Sequence, residues 1–464
     1  MSPAGHLTME HDPARELSIE DLVSLTGEPV ERLRRLCALG LIGSEGEDHF
    51  APHDVERVRL IQFLERRQIG LEAIAQAERE EAILRSVVQF LYPDGLGRTY
   101  SFDQALDVVG LDPDVTRALR DISGAGDEPI DEHDLQMLRA AKVALDAGFP
   151  ETALLQLTRV YADALARVAE AEVRLFHFYV HEGFKAAGLS GPDLLESRAA
   201  VRDHLLPIVE PMIRYFHRRG MAKAVREDMV LHLTGEQAPP AEAGSRAQLR
   251  LAIVFLDMSS YTPLTEVMGD RVAAKIVERF SVLVREATAR FDGRVVDRIG
   301  DAFLLTFPDP RTAVVCALEI SSRTTAEPQF PAVRGAVHWG KVLYQDGGYV
   351  GGALNIASRV ATHATPHQIL ITAAARTEIE DLAHVTFTPL GKRRLKGLAA
   401  ELEVFEVCSD HEPASHRTRD PVCGIEMAGT EVGATLIVQG RELAFCCERC
   451  LRVFLERPEE YRGT

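Results

Sequence analysis

Two stretches decide the fold: Phe255-Leu-Asp-Met-Ser-Ser-Tyr-Thr262 and, some forty residues later, Arg298-Ile-Gly-Asp-Ala302. Each ends an apolar, strand-like run on an aspartate, Asp257 in the first and Asp301 in the second. Two carboxylates on neighbouring strands can share divalent cations, and hard cations such as Mg²⁺ and Mn²⁺ take oxygen ligands and bring phosphates with them. Further on, Asn355-Ile-Ala-Ser-Arg359 places an amide and a guanidinium four residues apart, on one face of a helix.

These elements stand in a fixed order. The apolar strand with Asp257 is followed by Gly293-Arg-Val-Val296 and Gly300-Asp301. Then come Val333-Arg-Gly-Ala-Val-His-Trp-Gly340, Asn355 with Arg359, and Leu395-Lys-Gly-Leu398. In that order, residues 249–407 resemble the catalytic domain of a class III nucleotidyl cyclase, an α+β ferredoxin-like fold. The resemblance implies conversion of ATP to 3′,5′-cyclic AMP and pyrophosphate, with two Mg²⁺ or Mn²⁺ ions per active site. It gives Asp257 and Asp301 to those ions, helped by the carbonyl of Met258. The main-chain N–H groups from Met258 through Ser259, Ser260 and Tyr261 to Thr262 take the terminal phosphates. Asn355 orients the ribose, Arg359 stabilises the α-phosphoryl group in the transition state, and Lys396 contacts the phosphates. In this family one domain supplies the aspartates and a second supplies the asparagine, arginine and lysine, so the resemblance implies a homodimer.

Two positions depart from the adenylyl pattern. Asp297 stands where adenylyl cyclases carry a lysine, and Gly348 where they carry an aspartate, although Asp346 lies two residues away. A carboxylate at 297 cannot donate to N1 of adenine, but it can accept from N1–H and the 2-amino group of guanine. ATP use, GTP or relaxed use, and nucleotide binding without turnover therefore all stay open.

The N-terminal half contains a repeat. Ser18-Ile-Glu-Asp-Leu-Val-Ser-Leu-Thr-Gly27 is echoed by Ser101-Phe-Asp-Gln-Ala-Leu-Asp-Val-Val-Gly110, and His53-Asp-Val-Glu-Arg-Val58 by His133-Asp-Leu-Gln-Met-Leu138. Each copy opens on a serine that can cap a helix, with Asp21 or Gln104 three residues on. Through Ser18-Ile19, Leu25-Thr-Gly27, Arg32-Leu-Arg34, Gly40-Leu-Ile42 and Ile69-Gly-Leu-Glu-Ala-Ile74, the first copy resembles a MerR-family winged helix-turn-helix. DNA binding is not expected. The wings read Ser44-Glu-Gly-Glu-Asp48 and Gly126-Asp-Glu-Pro-Ile-Asp-Glu132, acidic segments that repel phosphate, and the net charge is −18.

The expected architecture is multidomain. A disordered start (1–16) precedes winged helix-turn-helix copies at 17–80 and 81–160 and an all-α regulatory or dimerising segment at 161–234. A linker (235–248) leads to the cyclase domain (249–407), a second linker (408–418) and a small Cys-rich α+β module (419–464). In the helical segment Leu154, Leu157, Tyr161, Leu165 and Val168, and later Leu205, Ile208, Met212, Ile213 and Phe216, recur at helical spacing, as core packing or a dimerising transmitter. Phe176, His177, Phe178 and Tyr179 are expected to be packed.

The tail concentrates four of the seven cysteines: Cys423, Cys446, Cys447 and Cys450. Asp420-Pro-Val-Cys-Gly-Ile-Glu-Met427, Phe445-Cys-Cys-Glu-Arg-Cys450 and Pro458-Glu-Glu-Tyr461 resemble a YHS (TRASH-like) metal-binding domain. The resemblance implies a thiophilic ion such as Zn²⁺ or Cu⁺. Cys447 stands where the family often has serine, and is a candidate fourth ligand beside Cys423, Cys446 and Cys450. Cys37, Cys316 and Cys408 stand alone and read as structural. No apolar run reaches the roughly 18 residues that span a bilayer, and the first 16 residues lack a signal-peptide core. A cytoplasmic protein without membrane contact is expected, with a regulatory ligand or protein partner of unknown identity.

Overall fold

The computed structural model describes residues 17–43, 49–92, 99–126, 130–234, 237–238, 248–259, 261–380, 382–395, 401–409 and 418–461. The chain divides into two compact units, Met1–Arg219 and Gly220–Thr464.

In the first unit the repeat is visible element by element. Helix Ile19–Thr26 starts on a reciprocal cap between Ser18 and Asp21 and stops on left-handed Gly27. Helix Phe102–Val109 starts on the same cap between Ser101 and Gln104 and stops on left-handed Gly110. A serine that satisfies one orphan N–H, and a glycine that adopts positive φ without strain, fix both ends of each helix. Helices Val30–Ala38 and Pro113–Ser123 follow, then helices Pro52–Arg66 and Glu132–Asp146. The pairing Leu17–Ser18 with His49–Phe50 in the first copy corresponds to the single bridge Tyr100–Ile130 in the second. Both expected acidic wing tips, 44–48 and 127–129, fall outside the described residues.

The helical expectation for the following segment holds, but its packing expectation does not. Helix Glu151–Phe176 runs into a π-helical turn, His177–His181, and helix Gly191–Thr234 follows with Pro207 and Pro211 inside it. Leu154 is buried, whereas Leu157, Tyr161, Leu165 and Val168 on one helix and Leu205, Ile208, Met212, Ile213 and Phe216 on the other are all exposed. Phe178 and Tyr179, expected to be packed, are 61% and 79% exposed. Among the described residues the two helices meet at least at Tyr161 and His217, whose ring centroids lie 6.5 Å apart.

Among the described residues, the second unit is built on a sheet of nine strands. Four of its strands run in the order Val333–Gln345, Gln248–Met258, Ala302–Phe307, Arg294–Ile299, all antiparallel, the last forming one edge. In chain order these are the fourth, first, third and second strands of a β-α-β-β-α-β run, the ferredoxin-like arrangement. Ile369–Thr372 adds parallel to Val333–Gln345, and Leu402–Ser409 and Val385–Arg393 extend that edge.

The strand Gln248–Met258 divides its side chains by parity. Ala252, Val254, Leu256 and Met258 enter the main core with helices Asp270–Arg290 and Pro310–Ala326. Leu249, Leu251 and Ile253 meet Ala353 and Ala357 of helix Gly352–Ala361 on the opposite face. Phe280 anchors the main core, fully buried and edge-on to Phe303 at 5.3 Å between ring centroids. Among the described residues, no helix is long and apolar enough to cross a membrane.

Candidate active site and cysteine cluster

Asp257 lies near the end of its strand, on the face opposite the main core. Asp301 sits in the hairpin turn between Arg294–Ile299 and Ala302–Phe307. That turn is tight because Gly300 adopts φ 65°, a conformation costly for any side chain. Leu256 pairs with Phe303, so the register brings Asp301 alongside Asp257. Burial, then the charge of Asp257, pushes the Asp301 carboxyl up to about 6. Two partly buried carboxylates this close favour a cation between them, so the donors fit a hard divalent ion.

Arg334, which the sequence reading did not single out, is cross-strand from Asp257. Its Nη2 and Nε both donate to Asp257 Oδ2, at 2.8 and 3.2 Å. The available signal was an arginine at the second position of the strand that starts at Val333, a strand quoted only for its pattern. His338 itself is buried, with Nδ1 2.9 Å from the Thr372 hydroxyl, and burial pushes its imidazole down to about 4.

After Asp257 the chain leaves the sheet. Met258 is buried, the Ser259 N–H donates to the Ala332 carbonyl at 2.7 Å, and helix Tyr261–Met268 begins with Tyr261 and Thr262. Ser259 Oγ is buried and has no hydrogen-bond partner among the described residues, as expected of a group that lacks a ligand. Ser260 and Lys396 fall outside the described residues. A cleft of 570 Å³ opens beside this turn, bordered by Tyr261, Glu278, Arg285, Arg298 and Gly300.

Asn355 and Arg359 lie one turn apart on helix Gly352–Ala361. Asn355 is exposed and Arg359 half-buried, while Ala353, Ala357 and Val360 face the sheet. The helix packs against the early part of the Asp257 strand through Leu249, Leu251 and Ile253. The structure thus brings Asp257 and Asp301 together and sets Asn355 and Arg359 on a separate element. Asp297 is exposed, its Oδ1 accepting from the Arg298 N–H at 2.8 Å. Gly348 closes a hairpin turned by Asp346 and Gly347, and Gln345 Nε2 donates to Asp346 Oδ2.

In the tail, Cys423, Cys446, Cys450 and Asp420 converge, all buried, with their donor atoms within 4.8 Å of one another. The Sγ of Cys446 lies 3.5 Å from that of Cys423 and 3.6 Å from that of Cys450. A tetrahedral zinc thiolate with Zn–S of about 2.3 Å has an S···S edge of about 3.8 Å, so the thiols already outline such a face. Hydrogen bonds from Cys446 and Cys450 push the Cys423 thiol down to about 5. Cys447 is half-buried and stands outside this group, with its Sγ 3.7 Å from that of Cys446. Asp420, which opens the quoted motif but was not read as a ligand, stands with them in the position expected for Cys447. It also braces the loop, accepting from the N–H groups of Val422, Cys423 and Cys446.

No family model matches the chain. Over 360 residues it is 29% identical to an uncharacterised protein of Mycobacterium tuberculosis, covering 76% of this chain and 90% of that one. Over 208 residues it is 30% identical to an adenylate cyclase of Glutamicibacter nicotianae, covering 44% of this chain and 51% of that one. Among solved structures, an adenylyl cyclase from P. aeruginosa is similar at 17% identity and a TM-score of 0.32, covering 35% of this chain and 95% of its own. Its relatives thus include proteins named adenylate cyclase, while the structure itself sets two aspartates, Asp257 and Asp301, side by side.

Proposed function

We propose that residues 249–407 act as a class III nucleotidyl cyclase, converting ATP to 3′,5′-cyclic AMP and pyrophosphate at a homodimer interface. The observation that carries this reading is the adjacency of Asp257 and Asp301, with Arg334 fixing the first. Two Mg²⁺ or Mn²⁺ ions, held by these carboxylates and the Met258 carbonyl, would supply Lewis-acid activation of the ribose 3′-hydroxyl and neutralise triphosphate charge. In the reaction the 3′-oxygen loses its proton and bonds the α-phosphorus, and the α–β bridging bond breaks to release pyrophosphate. The N–H groups at the head of helix Tyr261–Met268 and the partnerless Ser259 hydroxyl bind phosphate oxygens. Asn355 and Arg359, directed away from their own sheet, serve the nucleotide held by the second chain's aspartates. Asn355 holds its ribose and Arg359 its α-phosphoryl charge, while Lys396 contacts its phosphates. These contributions are positioning and electrostatics.

A second reading, GTP as substrate, is favoured by Asp297, whose exposed carboxylate can accept from guanine. The tail is read as a soft-metal site of Cys423, Cys446, Cys450 and Asp420, with Zn²⁺ as the fitting ion.

The test is product formation by the purified protein from ATP or GTP, with Mg²⁺ or Mn²⁺, beside Asp257→Ala. Cyclic AMP or cyclic GMP that vanishes in the variant establishes the activity and the base together. Bound triphosphate without product from either nucleotide would make the chain a nucleotide-binding regulator instead. For the tail, Cys446→Ser with Cys450→Ser should abolish metal stoichiometry.

A further inference from the structure

The cysteine-rich module shares its core with the catalytic sheet. Val422, Ile425 and Phe445 belong to the same buried cluster as Phe330, Val333 and Val337. Ile425 forms a β-bridge with Pro331, and Gln329 Nε2 donates to the Glu431 carbonyl at 3.5 Å. His367, just before strand Ile369–Thr372, pairs with Glu426.

The bridged segment leads straight to the catalytic acid. Next to Pro331, the Ala332 carbonyl receives the Ser259 N–H of the phosphate turn. Two residues further, Arg334 grips Asp257. At the other end, Ile425 is two residues from Cys423, and its carbonyl accepts from the Asp420 N–H at 2.8 Å. A short run of backbone therefore has the thiol cluster bracing one side and Asp257 with its phosphate turn on the other.

We propose that metal occupancy of the thiol cluster sets the position of Pro331–Arg334, and through it the competence of Asp257. An ion bridging Cys423, Cys446 and Cys450 locks the loop that carries Ile425. Without it, a module of about 45 residues loses the staple that small domains need, and Arg334 no longer holds the carboxylate in one place. Arg334 acts here as a positioning residue. The inference rests on the soft-metal reading of the tail, and the experiment separates the two.

The full chain is stripped with a thiol-competing chelator, then reloaded with one equivalent of Zn²⁺. Bound zinc and cyclic nucleotide formation are measured with Mn²⁺ in excess, and circular dichroism checks that both forms are folded. The expected result is one zinc per chain and about tenfold higher activity when loaded, within the usual range of intersite coupling. Cys450→Ser should bind no zinc and stay at the stripped level. His367→Ala with Glu426→Ala, which cuts one tie between module and sheet, should keep the zinc and respond less to it. If the unaltered chain binds no zinc, the metal reading itself fails. One zinc bound with equal activity in both forms leaves that reading standing and overturns the coupling.

Discussion

His338 makes a pH-dependent prediction that can be worked through in numbers. It is 6% exposed at the middle of strand Val333–Gln345, the strand that carries Arg334, and burial lowers its imidazole from 6.5 to about 4. The unfolded chain binds the proton more tightly. The stability that neutral His338 contributes is therefore complete above about pH 6.5, falls as pH drops, and is gone below about pH 4. At about 1.4 kcal/mol for each tenfold difference in proton affinity, the loss amounts to about 3 kcal/mol. Trp339, the chain's single tryptophan, is buried next door, so its fluorescence in urea reports unfolding of this sheet. Carboxylates titrate in the same window, and the comparison with His338→Asn removes them. The variant keeps a donor for Thr372 but no titrating ring, and should lose about 3 kcal/mol less than the unaltered protein between pH 7 and pH 4. Parallel acid limbs in the two proteins would refute the argument.

Mixing Asp257→Asn with Arg359→Ala should restore about a quarter of the original activity to two inactive proteins. Half of randomly paired dimers then carry one intact site of two, and no recovery would count against a site shared between chains. Gly335→Ala should destabilise the sheet by about 1–3 kcal/mol, read by urea denaturation. Its Cβ would meet the Phe255 carbonyl oxygen at 2.6 Å and Leu256 Cδ2 at 2.5 Å. Phe280→Ala should cost about 3–5 kcal/mol by the same assay. Met212→Glu with Phe216→Glu, on the exposed row of helix Gly191–Thr234, should weaken self-association about tenfold or more by sedimentation. Unchanged association would remove that row from any dimer contact.

The parts of the fold governed by short-range rules were legible in the chain. Ser18 and Ser101 cap, Gly27 and Gly110 terminate, and the apolar run before Asp257 forms a strand; each needs only near neighbours. Asp257 and Asp301 were legible because the apolar runs beside them announce strand ends. Arg334 and Asp420 were not. Their roles depend on registers set across the sheet and across the cysteine loop, and no spacing within one segment encodes such a pairing. The apolar rows from Leu157 to Val168 and from Leu205 to Phe216 were read correctly as rows, but hydrophobic periodicity does not say whether the burying partner is in the same chain.

The layout of the second unit bears on why one chain should be insufficient for the proposed reaction. Asp257 shares its strand's odd-numbered face with Leu249, Leu251 and Ile253, which helix Gly352–Ala361 covers. Beyond that helix the face is less well covered. Arg294, Asp297, Arg298 and Ile299 of the edge strand are exposed, Ile299 by 62%, although strands that complete a sheet usually bury one side. Asn355 is exposed on the outer side of its helix, while the residues that anchor the start of that helix lie several strand positions before Asp257. The far end of the helix, at Val360 and Ala361, packs with Ala336 and Phe255, the latter two strand residues before Asp257, so the helix runs toward the carboxylate along its own strand while Asn355 is turned to solvent. In the proposed homodimer, a second chain laid head to tail across the uncovered face would bring its exposed Asn355 to the nucleotide at Asp257 and would also bury Ile299.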